Sequence, residues 1–263
     1  MTNQHATKPI IFSGAMVSAL VAERKTQTRR IIKPQPMADG YYEGDLRMER
    51  VHHPDSADPD CYARFSADAV GGGAFIEKTI KMPYARGDRL WVRETWRPQM
   101  DPDIWCCVEY RTDGARIKPN IADDNDGYIF GEACNAVDPD WRQHGFEPEV
   151  ANWRPSIHMP RWASRLTLIV TDVRVQRLQD ISEAEAVAEG CLMDPEPTEH
   201  GDYMPAEIAH EMGGDVGWDS ARDWFADLWD SLHGTDAWEA NPWIVALTFD
   251  MHRGNIDEIA SKL

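Results

Sequence analysis

The chain has 263 residues, 42% hydrophobic and 27% charged, enough to bury a core in one elaborated domain. Its 27 Lys+Arg stand against 45 Asp+Glu, a formal net charge of -18, which argues against sequence-independent duplex binding through many phosphate contacts. Five irregularly spaced cysteines and no apolar run of about 18 residues exclude a disulfide framework and a spanning helix, so a cytoplasmic protein without membrane association is expected.

Lys8 to Phe12 reads as a short strand. Ser13 is a good N-cap, and Met16, Val17, Leu20 and Val21 form a helical stripe, which predicts a helix over roughly 14–24. The stretch RKTQTRRIIK (24–33) follows and holds five of the chain's basic residues. A compact cationic and hydroxyl-rich cluster on an acidic body points to a local anion or nucleotide site; the plainer alternative makes Arg24 and Lys25 helix C-terminal charges.

Residues of about 37–83 are rich in Pro, Gly, Asp and His and read as an insertion, with a hairpin near Cys61–Phe65 and Phe75–Ile80. Gly87-Asp88 turns into a strand in which Leu90, Val92, Glu94 and Trp96 share one face. Ile104 to Arg111 is a further strand, and about 112–152 is a second, acidic insertion. Its Asp123–Gly127 run lacks the twelfth-position glutamate of a calcium loop and is discounted.

Leu166 to Leu178 reads as a long strand. Ser182-x-x-Glu185 is a capping box for a helix ending at Gly190. About 191–217 is the third insertion. A helix capped by Asp219 or Ser220 carries the apolar stripe Trp224, Phe225, Leu228, Trp229 and Leu232, and Asn241-Pro-Trp opens a closing strand. The expected architecture is α+β: a single elaborated domain spanning 1–263, a mixed β-sheet or barrel with a few peripheral helices and three long insertions.

Charge is distributed unevenly. Residues 151–178 carry five Arg and one acid, whereas 179–241 carry seventeen acids and one base, Arg222. A solvated face is the ordinary reading of the acidic half; an acidic protein-interaction surface that mimics nucleic-acid charge is the alternative.

Three residue types could work together chemically. Arg24, Arg29 and Arg30 are neighbours able to lower the pKa of Lys25, a threonine hydroxyl such as Thr28 needs such a base, and Glu94 at the end of a buried row can act as an acid. On a regular strand Lys25 and Thr28 face opposite sides, so they converge only if the chain bends between helix and strand. An ion pair is the plainer alternative for this set. The histidines match no zinc spacing, so no metal and no cofactor are expected, and His158 is the histidine best placed for function.

KPIIFSGAMVSALVAERKTQTRR followed by RGDRLWVRETW resembles the ASCH domain of the PUA-like superfamily. WRPSIHMPRWASRLTL and ANPWIVALTF are similar to its larger, phage- and prophage-encoded form. The resemblance covers about 90 residues and leaves the insertions outside. It implies a PUA-like β-barrel with a cleft for RNA or a modified nucleoside, single-stranded nucleic acid included. One branch of the family is a metal-independent amidohydrolase of N4-acetylcytidine that uses a lysine, a threonine and a glutamate. By motif these fall on Lys25, Thr28 and Glu94. Arg30 matches the branch's following arginine, while Arg29 stands where the branch has an aliphatic residue. Arg29, Arg30, Trp96, Tyr110, Arg154 and His158 are the expected binding residues around them. RNA or nucleoside binding is the leading expectation, hydrolysis of an N4-acylated cytidine-type nucleoside the second, and the acidic interaction surface the third.

Overall fold

A computed structural model describes residues 5–36, 42–51, 62–69, 75–101, 105–118, 135, 152–191 and 218–260. In chain order its elements are β1 (Thr7–Ile11), α1 (Gly14–Val21), β2 (Gln27–Ile31), β3 (Tyr42–Val51), β4 (Tyr62–Ala69), β5 (Phe75–Lys81), β6 (Arg89–Arg93), β7 (Trp96–Asp101), β8 (Trp105–Tyr110), β9 (Arg116–Ile117), β10 (Leu166–Arg177), α2 (Glu183–Ala188), α3 (Ala221–His233), β11 (Trp243–Arg253) and α4 (Ile256–Ala260). The fold is mixed α+β, mostly strands with few helices, and no closed barrel is present among the described residues. No helix among them is long and apolar enough to cross a membrane. The chain divides into two compact, discontinuous units: a first of 1–5, 24–87 and 170–249, and a second of 6–23, 88–169 and 250–263.

In the first unit β11 pairs antiparallel with β2, setting Thr28 opposite Leu247 and Arg30 opposite Val245. The side-chain amide of Gln35 extends this ladder: its Nε2 donates to the Trp243 carbonyl at 3.0 Å and its Oε1 accepts from the Trp243 amide at 2.9 Å. The apolar stripe of α3 buries Phe225 and Trp229 against Leu178, Ile181, Ala186, Ile244 and Ala246, while Leu232 at the stripe's end is exposed. Ser182 and Glu185 form both bonds of the expected capping box, and Ser220 caps α3. Gly234, at φ 104°, ends α3 in a conformation open to glycine.

The segment read as the first insertion holds a three-stranded antiparallel meander, β3-β4-β5. β4 alternates as a half-buried strand must: Ala63, Phe65 and Ala67 are buried, while Arg64 pairs with Glu49 and Glu77 on the other face. The expected hairpin corresponds to β4 and β5. β3 gives little strand signal in the sequence because its Tyr-Glu-Gly-Asp-Leu-Arg-Met-Glu-Arg-Val run has little apolar alternation, and its pairing with β4 shifts register between Glu43 and Arg47.

In the second unit β1 pairs in parallel with β6, and β6 pairs antiparallel with the first residues of β10. Antiparallel β7, β8 and β9 form a separate sheet over a core of Trp96, Val108, Tyr110, Met159 and Ala163. Ser13 caps α1 by accepting from the Met16 amide at 3.4 Å. The helix stops at Val21, three residues short of the expected end, and Glu23 takes φ 61°. Arg24 and Lys25 therefore lie beyond the last helical turn and are not C-terminal helix charges. The strand expected through Trp96 breaks at Glu94 and Thr95, where the Glu94 amide donates to the Met159 sulfur instead of a strand partner.

Candidate functional site

In the first unit the basic cluster is arranged around one carboxylate. Lys25 Nζ donates to Glu189 Oε2 at 2.5 Å and to the Glu189 carbonyl at 2.8 Å. Arg29 donates to Glu189 Oε1 and to Glu185 Oε2, both at 3.0 Å, and Arg174 pairs with Glu185 from its other side. The Lys25 and Arg29 side chains have no exposed surface, and that of Glu189 has 2%. Burial lowers the Lys25 pKa, opposed by Glu189 and reinforced by the charges of Arg30 and Arg29. Thr28 is buried on β2, and Arg30 is half-buried with its pKa likewise lowered by burial.

This arrangement follows from the short α2. Its capping box fixes the first turn, its last residue delivers the Ala188 carbonyl to the Thr26 amide, and Gly190, just past its C-cap, gives its carbonyl to Arg24. Glu189, the C-cap of α2, is thereby carried to Lys25.

Glu94 belongs to the second unit and has its own cation. Arg165 grips it with two hydrogen bonds, Nε to Oε1 at 2.8 Å and Nη2 to Oε2 at 2.9 Å, and uses Nη1 to hold Asp113 at 2.9 Å. The same guanidinium lies 4.1 Å from the Tyr110 ring centre, a cation–π contact. Thr112 completes the carboxylate's shell by donating to Oε2 at 3.2 Å. Burial raises the Glu94 pKa, against the lowering hydrogen bonds from Arg165 and Thr112. Burial pushes the partly exposed Asp113 up, but its hydrogen bonds from Arg165 and the Ala115 amide and the Arg165 charge together hold it below the usual carboxylate range.

Thr112 also faces a cavity of about 460 Å³, whose remaining lining residues are Gly14, Ala15, Ser18, Thr95 and Arg111. All six belong to the second unit. Two lie beside the acid along the backbone: Thr95 follows Glu94 directly, and its carbonyl accepts the Arg111 amide at 3.0 Å. The volume lies within the roughly 300–1,000 Å³ of small-molecule sites.

The expected binding residues fall in different settings. Trp96 is fully buried, edge-on to Trp162 with ring centres 5.8 Å apart, and Tyr110 is buried with its hydroxyl donating to the Ala163 carbonyl at 2.8 Å. Both are core residues of the second unit rather than open stacking surfaces. Arg154 is half-buried and bridges the Trp96 backbone, while His158 is exposed in a 3₁₀ turn over 156–158.

Glu189, Arg165, Thr112 and Arg111 were not singled out from the sequence. Arg165 carried a weak signal as one of five arginines in an acid-poor segment. Glu189 carried none beyond preceding a helix-ending glycine. No cluster of three or more metal-ligating side chains occurs among the described residues. No family model matches the chain, and no curated protein or solved structure gives a match.

Proposed function

We propose that this is an ASCH-like, PUA-like protein that binds RNA or a modified nucleoside, and that the ligand enters the cavity of the second unit. The observation that carries the reading is the cavity's composition and place. A nucleoside-sized space is lined by three hydroxyl-bearing residues and an arginine, and the hydroxyl of one of them, Thr112, is bonded to Glu94, the residue the family resemblance marks. Hydroxyl and guanidinium groups suit the polar edges of a base and a ribose.

Equilibrium binding to cytidine, N4-acetylcytidine and short single-stranded RNA across a salt series tests this. Ala15→Trp, placed on the exposed first turn of α1, fills the cavity and is expected to weaken binding by at least about tenfold, about 1.4 kcal/mol. Failure of every ligand to bind at low salt overturns the reading.

A second reading, hydrolysis of an N4-acylated cytidine-type nucleoside, draws on Glu94. A carboxyl whose pKa is raised by burial can hold a proton for a leaving amine. Acetate release from N4-acetylcytidine measures it, and undiminished release by both Lys25→Ala and Glu94→Gln proteins ends it.

A further inference from the structure

We infer that the cavity of the second unit holds a phosphate group, so that the ligand is a nucleotide or an RNA end rather than a bare nucleoside. This rests on the reading above and deepens it by naming the ligand's charge.

The chain is strongly acidic, yet none of the six lining residues is an acid and one is a cation. The two carboxylates adjacent to lining residues in sequence, Glu94 beside Thr95 and Asp113 beside Thr112, are both bonded to Arg165. Arg111 pairs with no carboxylate among the described residues; its guanidinium lies 6.0 Å from the Trp153 ring centre, the outer limit of a cation–π contact. A planar guanidinium with several N–H donors matches phosphate oxygens. Ser18 and Thr95, which line the same cavity, carry two more hydroxyl donors. The third hydroxyl, Thr112, is already spent on Glu94. At physiological ionic strength charges beyond about 8 Å are largely screened. Acids farther than that from the cavity weigh little against Arg111.

Calorimetric titration of the full chain with cytidine, cytidine 5′-monophosphate and inorganic phosphate, at low and at physiological salt, tests the inference. The monophosphate is expected to bind at least about tenfold more tightly than cytidine, with an advantage that shrinks as salt rises. In Arg111→Gln the ratio of the two affinities falls to about one, and Arg111→Lys restores part of it. Arg111 is exposed, so circular dichroism and a thermal melt suffice to show that the variants fold. Equal affinity for cytidine and its monophosphate in the unmodified protein, or an advantage that survives Arg111→Gln, overturns the phosphate site. Phosphate binding that depends on Arg111, with no binding of cytidine, its monophosphate, N4-acetylcytidine or single-stranded RNA, keeps the anion site and overturns the proposed function. No binding by any of the three titrants overturns the phosphate site, and the proposed function falls with it if N4-acetylcytidine and single-stranded RNA also fail to bind.

Discussion

Replacing Arg165 with methionine tests how the second unit accommodates Glu94. The two side chains are 8% and 2% exposed, so solvent screens the pair little. Removing one partner of a buried ion pair leaves an uncompensated charge and costs about 3–5 kcal/mol. For a chain of this size that lowers the melting temperature by about 6–20 °C. Asp113, also released, is a third exposed and can rehydrate, so Glu94 dominates the loss.

The deficit depends on pH with a definite sign. Burial already raises the Glu94 pKa, and loss of the guanidinium raises it further. In the unfolded chain the same carboxyl ionises near its ordinary value of about 4.3. Between the two values the folded variant keeps a proton that the unfolded chain has lost, so its stability falls as pH rises through that window. The deficit relative to the parent protein is therefore smallest below the unfolded pKa and complete above the folded one. Urea melts followed by tryptophan fluorescence, at a series of pH values, measure it for Arg165→Met and for Glu94→Gln/Arg165→Met. The double variant, which buries no charge, is expected to recover much of the loss at neutral pH. A deficit of Arg165→Met that is the same at every pH, or a double variant no more stable than the single one, refutes this account of Glu94.

Two other outcomes follow from the first unit. Glu189→Gln removes the carboxylate charge from beside Lys25, leaving only neutral oxygen acceptors on that residue, and is expected to cost about 3–5 kcal/mol. Lys25→Met should cost less, because Arg29 still neutralises Glu189. The Glu189→Gln deficit should shrink as pH rises from the lowered folded Lys25 pKa toward the unfolded value, since the folded chain then sheds a proton the unfolded chain retains; denaturant melts at neutral and alkaline pH check both statements. Gln35→Ala strands the Trp243 amide at the start of β11, whereas the Trp243 carbonyl keeps the Ile32 amide; the change should cost about 1–3 kcal/mol, read from the same melts and from faster hydrogen exchange at Trp243.

Local signals in the sequence were good guides wherever a short-range rule decides the structure. Ser13, Ser182 and Ser220 cap the helices expected of them, and the alternation of Leu90, Val92, Glu94 and Trp96 places all four in buried positions. The α3 stripe packs as its periodicity requires. What the sequence could not display is pairing over long separations. Nothing near Lys25 indicates that its counter-ion comes from 164 residues later, and nothing near Glu94 indicates Arg165, 71 residues on. The early end of α1 has a related cause. Glu23 is an ordinary helix former by propensity, but the residues after it are drawn to the Ala188 and Gly190 carbonyls at the end of α2. The break between β6 and β7 depends on a sulfur acceptor from Met159, which alternation alone gives no reason to expect.

Those two counter-ions bear directly on the choice between binding and hydrolysis. A lysine that serves as a base must present a free electron pair to a proton donor. Lys25 Nζ instead gives two of its hydrogens to Glu189, and its side chain has no exposed surface. Proton removal by this amine would require breaking or rearranging a buried pair also tied to Arg29, and such a pair is strongly destabilised when one partner is lost. Glu94 is differently placed. Its pKa is raised, and one of its oxygens accepts from Thr112, a residue that lines the cavity, so its protonation state is one bond removed from the cavity. A binding function needs only that bond and the Arg111 side of the wall. Hydrolysis needs, in addition, an amine released from Glu189. Binding therefore asks for no rearrangement of either ion cluster. If N4-acetylcytidine is nevertheless cleaved, the reaction should tolerate Lys25→Met better than Glu94→Gln.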